Sequence, residues 1–145
     1  MNIHIRNGRL IDPANRLDAQ LDLFIADGKI VGVGNAPDGF AATRTINAGG
    51  LVVAPGLIDL AARLREPGFE YRATLESEMD AAMAGGVTSL AIPPDTDPAL
   101  DEPGLVEMLC YRAKKLNRAH VYPIGALTIG LKGEQLSEMA ELIEA

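Results

Sequence analysis

The sequence contains little cysteine and no tryptophan: its 145 residues include one cysteine, Cys110, and aromatic side chains make up 4%. A single cysteine excludes an internal disulfide framework and metal sites made of cysteine pairs, and it fits a reducing compartment. The chain also lacks any apolar run long enough for a membrane span or a signal peptide. From these absences we expect a globular cytoplasmic protein that does not insert into a membrane.

Basic residues are also fewer than acidic ones. Thirteen lysines and arginines stand against twenty aspartates and glutamates, which gives a net charge of −7. Because nucleic acid binding needs a cationic surface, this balance disfavours DNA and RNA as partners. Hydrophobic residues nevertheless make up 48% of the chain, which is ordinary for a folded domain with a core.

Residues 1–54 have the pattern of a small all-β module. Short apolar runs are interrupted by Asn7-Gly8 and by Asp27-Gly28, and such dipeptides between apolar runs are the strongest short hairpin signals. We therefore predict a hairpin at each of the two dipeptides. Residues 12–20 and 36–42 are predicted to be connections.

Residues 55–145 alternate between strand-like and helix-like segments, which predicts βα units and a parallel sheet. A closed eight-stranded barrel typically needs about 250 residues, so we interpret this region as the first three βα units of an incomplete TIM-like (β/α) barrel from a longer protein. Because an incomplete barrel exposes sheet edges that can pair with another chain, we expect an oligomer or a fragment. The predicted strands and helices, in chain order, are 56–64, 74–84, 87–93, the segment that begins at Pro103, 121–127 and the segment around residues 136–143.

The first barrel strand is where we expect functional side chains. Residues on a strand alternate between its two faces, and barrel enzymes place their chemistry at the C-terminal ends of the strands. The face expected to pack under helices carries Ile58, Leu60, Ala62 and Leu64. The face expected to point into the barrel or its mouth carries Asp59, Ala61, Arg63 and Arg65.

Several motifs in one order resemble those of a known family. They are Asn7-Gly8-Arg9, Asp12-Pro13, residues 55–60 (Pro-Gly-Leu-Ile-Asp-Leu), 64–68 (Leu-Arg-Glu-Pro-Gly), 84–88 (Ala-Gly-Gly-Val-Thr) and 94–98 (Pro-Asp-Thr-Asp-Pro). Together they resemble the dihydroorotases of the cyclic amidohydrolase superfamily, over the whole chain. The resemblance implies a TIM-like metal-dependent barrel with a small β-sandwich built from both chain ends.

At the site, this resemblance implies a His-x-His pair that holds zinc, and the matching positions here are Ala61 and Arg63. Alanine has no donor atom, and a guanidinium is permanently protonated and cannot be a ligand. The family's substrate carboxylate is held by an arginine, matched by Arg65, and by an asparagine, replaced here by Asp95. That acid would oppose an anionic substrate unless it is protonated or paired with Arg65. The family's remaining ligands lie on strands beyond Ala145.

The resemblance extends to noncatalytic homologues that lack the histidine pair and associate with aspartate transcarbamoylase in pyrimidine biosynthesis. We therefore hypothesise a pseudoenzyme, with no catalytic residue, metal or cofactor, that supports assembly or stability of that transcarbamoylase. One alternative is an active metal-dependent cyclic amidohydrolase of the dihydroorotase type that uses zinc ligands from downstream strands. Another is a small-anion sensor in which Arg63 and Arg65 form a fork.

Other polar residues are assigned structural roles. We expect His4 to be an ordinary sheet residue, and His120, at the N-terminal end of the third barrel strand, to serve stability. Cys110 lies beside the apolar stripe of a helix and is predicted to be a small core residue. Asp59 is predicted to accept a hydrogen bond from one of the two arginines that follow it, and Glu66 to be part of a loop only.

Overall fold

The computed structural model describes residues 1–145 and contains ten strands and three α-helices. It divides into two compact units, Met1–Pro55 and Gly56–Ala145. The first unit is all-β, and the second alternates strands with helices, so the fold-class prediction is confirmed. None of the helices combines the length and the apolar character that crossing a lipid bilayer would require.

The first unit consists of two sheets. One has the strand order β5-β4-β1-β6 and the other has the order β3-β2-β7. In each sheet a late strand pairs in parallel with an early one, β6 with β1 and β7 with β2, while the other pairs are antiparallel. The strands are β1 (Asn2–Arg6), β2 (Arg9–Asp12), β3 (Leu17–Gln20), β4 (Leu23–Ala26), β5 (Lys29–Val33), β6 (Arg44–Asn47) and β7 (Val52–Val53).

Of the two predicted hairpins, one is confirmed and one is wrong. Asp27-Gly28 joins the antiparallel strands β4 and β5, with positive φ angles at both residues. Asn7-Gly8, in contrast, joins two strands that lie in different sheets. A Cβ atom at Gly8 would lie 2.7 Å from a methyl carbon of Val53 and 3.0 Å from the Cβ of Ala48. The glycine is therefore needed where the chain crosses closely between sheets, and the dipeptide serves that crossing.

The predicted connection over residues 12–20 is also wrong, because half of it is a strand. The Asp12 side chain accepts hydrogen bonds from two backbone N–H groups and caps a 3-10 turn over Pro13–Asn15. β3 then pairs antiparallel with β2. The Arg9 guanidinium donates two hydrogen bonds of 2.7 Å to the carboxylate of Asp18 across this pair. The sequence did not predict β3, because the strand is short and the alternation of apolar and polar residues along it is weak.

The second unit has a three-stranded parallel sheet in the order β10-β9-β8. α1 lies between β8 and β9 in the chain, and α2 between β9 and β10, as the βα interpretation requires. The elements are β8 (Leu57–Asp59), α1 (Leu75–Ala84), β9 (Val87–Ile92), α2 (Pro103–Leu116), β10 (His120–Pro123) and α3 (Met139–Glu144), with a 3-10 turn at Ile129–Leu131.

The helix boundaries follow the local chemistry. Thr74 caps the N-terminus of α1 through a reciprocal pair of hydrogen bonds with Ser77, the capping-box arrangement. α2 begins at Pro103, whose missing N–H is no loss in the first turn. α1 packs against β9, and α2 packs against β10 and against both other helices. The buried core consists of Leu64, Leu75, Met79, Leu90, Ile92, Leu100, Val106, Leu109, Ala113 and Ala119.

The first barrel strand is shorter than predicted. It ends at Asp59, because the Asp59 carboxylate turns back to accept a hydrogen bond of 2.9 Å from the Ala61 N–H. One backbone bond, from the Ala62 N–H to the Ala91 carbonyl, continues alongside β9. Of the predicted packing face, Leu64 is buried, but Ile58 and Leu60 are 67% and 75% exposed.

Two predicted element boundaries, the end of the third barrel strand and the start of the last helix, also differ from the structure. β10 ends at Pro123 rather than at residue 127. Leu136 forms an isolated β-bridge with Thr128, so it precedes α3 instead of lying in it. The bridge satisfies backbone groups that a longer helix would otherwise have used.

Candidate functional site

The candidate site lies where β8 and β9 end. The first loop, residues 65–74, follows the segment after β8, and the second loop, residues 93–102, follows β9. The two loops are in direct contact: the Asp97 N–H donates to the Pro67 carbonyl at 3.2 Å. Gly68, with φ of +96°, lies so close to the backbone of Asp97 that no side chain fits there. The loops are thus fixed against each other at their tips.

An ion pair joins the bases of the two loops. The Nε of Arg63 donates a hydrogen bond of 2.7 Å to Oδ2 of Asp95. Both side chains are about half exposed. Sequence reasoning identified both residues but assigned them different partners. Arg65 was the arginine considered as a partner for Asp95, and Asp59 was predicted to accept from one of the arginines; in the structure Asp95 pairs with Arg63 and Asp59 accepts from the Ala61 N–H.

Arg65 takes no part in this pair. Its backbone lies in the left-handed region with φ of 65°, and no carboxylate or other protein acceptor binds its guanidinium. Arg63 pairs with Asp95 through its Nε, so the two arginines differ in their partners. The concavity lined by these arginines, Phe69 and Thr96 has a volume of about 10 Å³, which is room for about one water molecule.

The side chains present do not fit a zinc ion. Ala61 offers no donor atom and Arg63 offers a permanent cation, and that cation already binds Asp95. No group of three His, Cys, Asp or Glu side chains in this chain is arranged to hold a metal ion. A structural or catalytic zinc takes at least three such ligands, and the residues at this position do not supply them.

Neither histidine belongs to the two loops of the candidate site. His4, on β1, stacks on Phe24 with ring centroids 4.6 Å apart, and its Nε2 lies 2.8 Å from Oδ2 of Asp22. The hydrogen bonds from His4 and from the Asn7 N–H lower the pKa of Asp22. His120 is exposed at the start of β10. Neither imidazole belongs to a group of three or more His, Cys, Asp or Glu side chains arranged to hold a metal ion.

Sequence reasoning missed the role of Glu66. Its side chain is 4% exposed, and it accepts a hydrogen bond of 2.8 Å from the Leu75 N–H at the start of α1. It also forms an ion pair with Arg112 on α2. Glu66 therefore anchors the first loop to both helices. Because its partner lies far along the chain, no local spacing signals this pair.

Cys110 is partly buried next to the core, and burial raises the pKa of its thiol. A raised pKa keeps the thiol protonated at neutral pH and makes it a poor nucleophile. The side chain therefore behaves as a small apolar residue on α2.

Comparisons with known proteins agree on one family. A family model described as "Dihydro-orotase-like" matches residues 50–145. The chain is 54% identical over 142 residues to a "Dihydroorotase-like protein" of Pseudomonas aeruginosa, covering 98% of this chain and 34% of that protein. It is 43% identical over 145 residues to a "Dihydroorotase" of Pelobacter propionicus, again covering 34% of the relative. The chain thus spans about a third of the length of the curated relatives it matches.

The fold is similar to that of a solved L-hydantoinase (dihydropyrimidinase) from Arthrobacter aurescens. The TM-score is 0.76 at 23% sequence identity, and the match covers 87% of this chain and 28% of that one. At this level of identity the likeness establishes a shared fold, that of the N-terminal part of an amidohydrolase barrel, and leaves function to be argued from the site.

Proposed function

Because the chain belongs to the dihydroorotase-like family, we propose that it is a noncatalytic member that supports the assembly or stability of aspartate transcarbamoylase in pyrimidine biosynthesis. The observation that carries this proposal is the ion pair between Arg63 and Asp95. It occupies the two positions where, by resemblance, an active relative has a zinc ligand and a substrate-binding amide.

Electrostatics supports the noncatalytic part of the proposal. A guanidinium at about 4 Å from a metal ion repels each unit of its charge by about 4 kcal/mol at an effective dielectric constant of about 20, and a dication doubles this. The Asp95 carboxylate offsets part of this repulsion, but it is bound to Arg63 and is therefore not free to coordinate a metal ion. Ligands from elsewhere in the protein would have to overcome both effects to place zinc beside Ala61.

The partner in this proposal comes from the family resemblance and is an argument by analogy. A barrel framework whose metal-ligand positions are filled by Ala61 and Arg63 needs another role to be retained, and supporting a neighbouring enzyme of the same pathway supplies one. The two loops contact each other through the Asp97 N–H to Pro67 carbonyl bond and the pair of Arg63 with Asp95, which gives this end of the second unit a defined surface.

Co-expression of the natural full-length protein with the transcarbamoylase of the same organism tests the proposal. We expect the two to co-purify, and we expect transcarbamoylase activity to fall when this protein is left out. A transcarbamoylase that is fully assembled and active alone would refute the scaffolding role. Elemental analysis of the purified protein is expected to find much less than one zinc per chain, with no hydrolysis of dihydroorotate.

A second candidate is an active dihydroorotase, favoured by the name "Dihydroorotase" carried by relatives 43–45% identical to this chain. It requires zinc held entirely by residues other than Ala61 and Arg63. About one zinc per full-length chain, together with measurable dihydroorotate hydrolysis, would establish this candidate and remove the first. Restoring the pair with Ala61→His and Arg63→His is a useful comparison, since only a site that is otherwise complete gains zinc from it.

A further inference from the structure

A cavity of about 600 Å³ lies in the second unit, between the first loop with the start of α1 on one side and α2 on the other. We call it the helix cleft. None of the residues that line it lines the small concavity around Arg63 and Asp95. Its volume falls within the range of small-molecule binding sites, about 300–1,000 Å³. The helix cleft is therefore large enough for a ligand and is separate from the candidate site.

The charged side chains of the helix cleft are sorted by sign. The acidic ones all belong to the wall made of the first loop and α1, and the basic ones all belong to the wall made of α2. The acids are Glu66, Glu70 and Glu76, and the bases are Arg112 and Lys115. The cleft thus presents negative charge on one side and positive charge on the other.

The inner part of this arrangement is fixed by contacts within the protein. Glu66, with a side chain that is 4% exposed, forms an ion pair with Arg112 and accepts a hydrogen bond from the Leu75 N–H. Glu70 accepts from the Gly68 N–H with both of its oxygens, each at 3.0 Å. Hydrogen bonds from its own backbone N–H and from that of Gly68 lower the pKa of Glu70, and the charge of Arg112 adds to this effect. Both walls therefore keep their charges at neutral pH.

The outer acid and the outer base of the helix cleft do not pair with each other. Glu76 and Lys115 are exposed, and neither forms an ion pair within the protein. Tyr111, which is 68% exposed, and the partly buried Leu116 add aromatic and apolar surface to the same cleft. A single ligand in the cleft would meet a free carboxylate, a free ammonium group and an apolar surface.

We propose that the helix cleft binds a zwitterionic α-amino acid with an apolar side chain. Its ammonium group pairs with Glu76, its carboxylate pairs with Lys115, and its side chain packs on Tyr111. A ligand with negative charge alone would face the three carboxylates of one wall, and a ligand with positive charge alone would face the two cations of the other. A zwitterion meets each wall with the opposite charge and forms a charge-assisted hydrogen bond to each. This inference goes beyond the proposed function and does not depend on it.

Titration calorimetry on the natural full-length protein tests the need for both charges. The probe is L-leucine, and two analogues each lack one charge: N-acetyl-L-leucine has no ammonium group, and L-leucinamide has no carboxylate. We expect saturable binding of L-leucine at millimolar concentrations. Each analogue should bind about tenfold more weakly or worse, because it loses one charge-assisted pair.

Substitutions in the protein test the two walls separately. Glu76→Gln and Lys115→Gln should each weaken L-leucine binding by about tenfold. The matched controls are Glu78→Gln on α1 and Lys114→Gln on α2, which remove the same charges from positions outside the cleft lining, and they should bind like wild type. Since Glu76 and Lys115 are exposed, the variants should fold like wild type, which circular dichroism checks.

Three results would overturn the proposal. The first is the absence of saturable L-leucine binding to the wild type. The second is equal affinity for L-leucine and either analogue, which would show that the corresponding charge is not recognised. The third is a loss in the controls as large as in the cleft variants, which would show an effect of net charge. None of these results bears on the scaffolding role, which is tested by co-purification and by transcarbamoylase activity.

Discussion

The buried carboxylate of Glu66 offers the sharpest test of how the second unit is held together. Replacing Glu66 with alanine removes the acceptor of the Leu75 N–H and the partner of Arg112. A hydrogen bond to a charged group contributes about 1.5–3 kcal/mol. The Arg112 side chain is half exposed, so solvent screens the ion pair, which adds no more than about 1 kcal/mol. We therefore expect Glu66→Ala to lower the free energy of unfolding by roughly 2–4 kcal/mol.

Urea denaturation followed by circular dichroism at the helical band measures this loss. All three α-helices belong to the second unit, so the helical signal reports on the unit that contains Glu66. The matched control is Glu107→Ala on the exposed side of α2, where the acid has no ion-pair partner. The control should change the free energy by less than about 0.5 kcal/mol, as surface substitutions usually do. An effect of Glu66→Ala as small as that of the control would refute the anchoring role.

Three further measurements address other contacts. A double-mutant cycle with Arg63→Ala and Asp95→Ala should give a coupling energy of about 0.2–1 kcal/mol that shrinks in about 1 M salt, since both side chains are half exposed; a coupling insensitive to salt would contradict this. Because hydrogen bonds from His4 and the Asn7 backbone lower the pKa of Asp22 in the folded state, its stabilising contribution is present above the unfolded pKa of about 3.9 and is lost as pH falls through the folded value. Asp22→Asn should therefore flatten the acid limb of a stability–pH curve, and an unchanged limb would assign it to other groups. Gly68→Ala, at a φ of +96° and against the second loop, should lower the free energy of unfolding by more than about 1 kcal/mol, and a neutral result in urea denaturation would show that the loops can separate.

The parts of the fold that local chemistry specifies could be predicted from the sequence. α1 begins within one residue of the predicted start, and α2 begins at Pro103 as predicted. The hairpin at Asp27-Gly28 follows from its turn residues. In each of these cases the residues that determine the structure lie within a few positions of it. The alternation of such elements was enough to indicate a parallel βα sheet.

Features that depend on distant partners could not be predicted in the same way. Asn7-Gly8 carries a hairpin signal, but β1 finds its partners in β4 and β6, so the dipeptide joins two sheets. At the site, Arg63 and Asp95 could be identified from their positions in the motifs. Which arginine pairs with Asp95 depends on the three-dimensional positions of the side chains, which the sequence does not give. The hydrogen bond from the Ala61 N–H to the Asp59 carboxylate likewise ends β8 at Asp59, although the alternation of apolar residues predicted a longer strand.

The crossing at Asn7-Gly8 has a consequence for how the first unit can form. The segment from Arg44 to Val53 also passes from one sheet to the other, because it supplies β6 to the first and β7 to the second. The side-chain amide of Asn7 donates a hydrogen bond of 3.0 Å to the side-chain oxygen of Asn47 and so links the two connections. One late stretch of chain therefore closes two sheets at once, through contacts about forty residues apart in sequence. Pairings of such long range form slowly, so neither sheet is complete until residues 44–53 have joined it. The two sheets should therefore gain their protection from hydrogen exchange together.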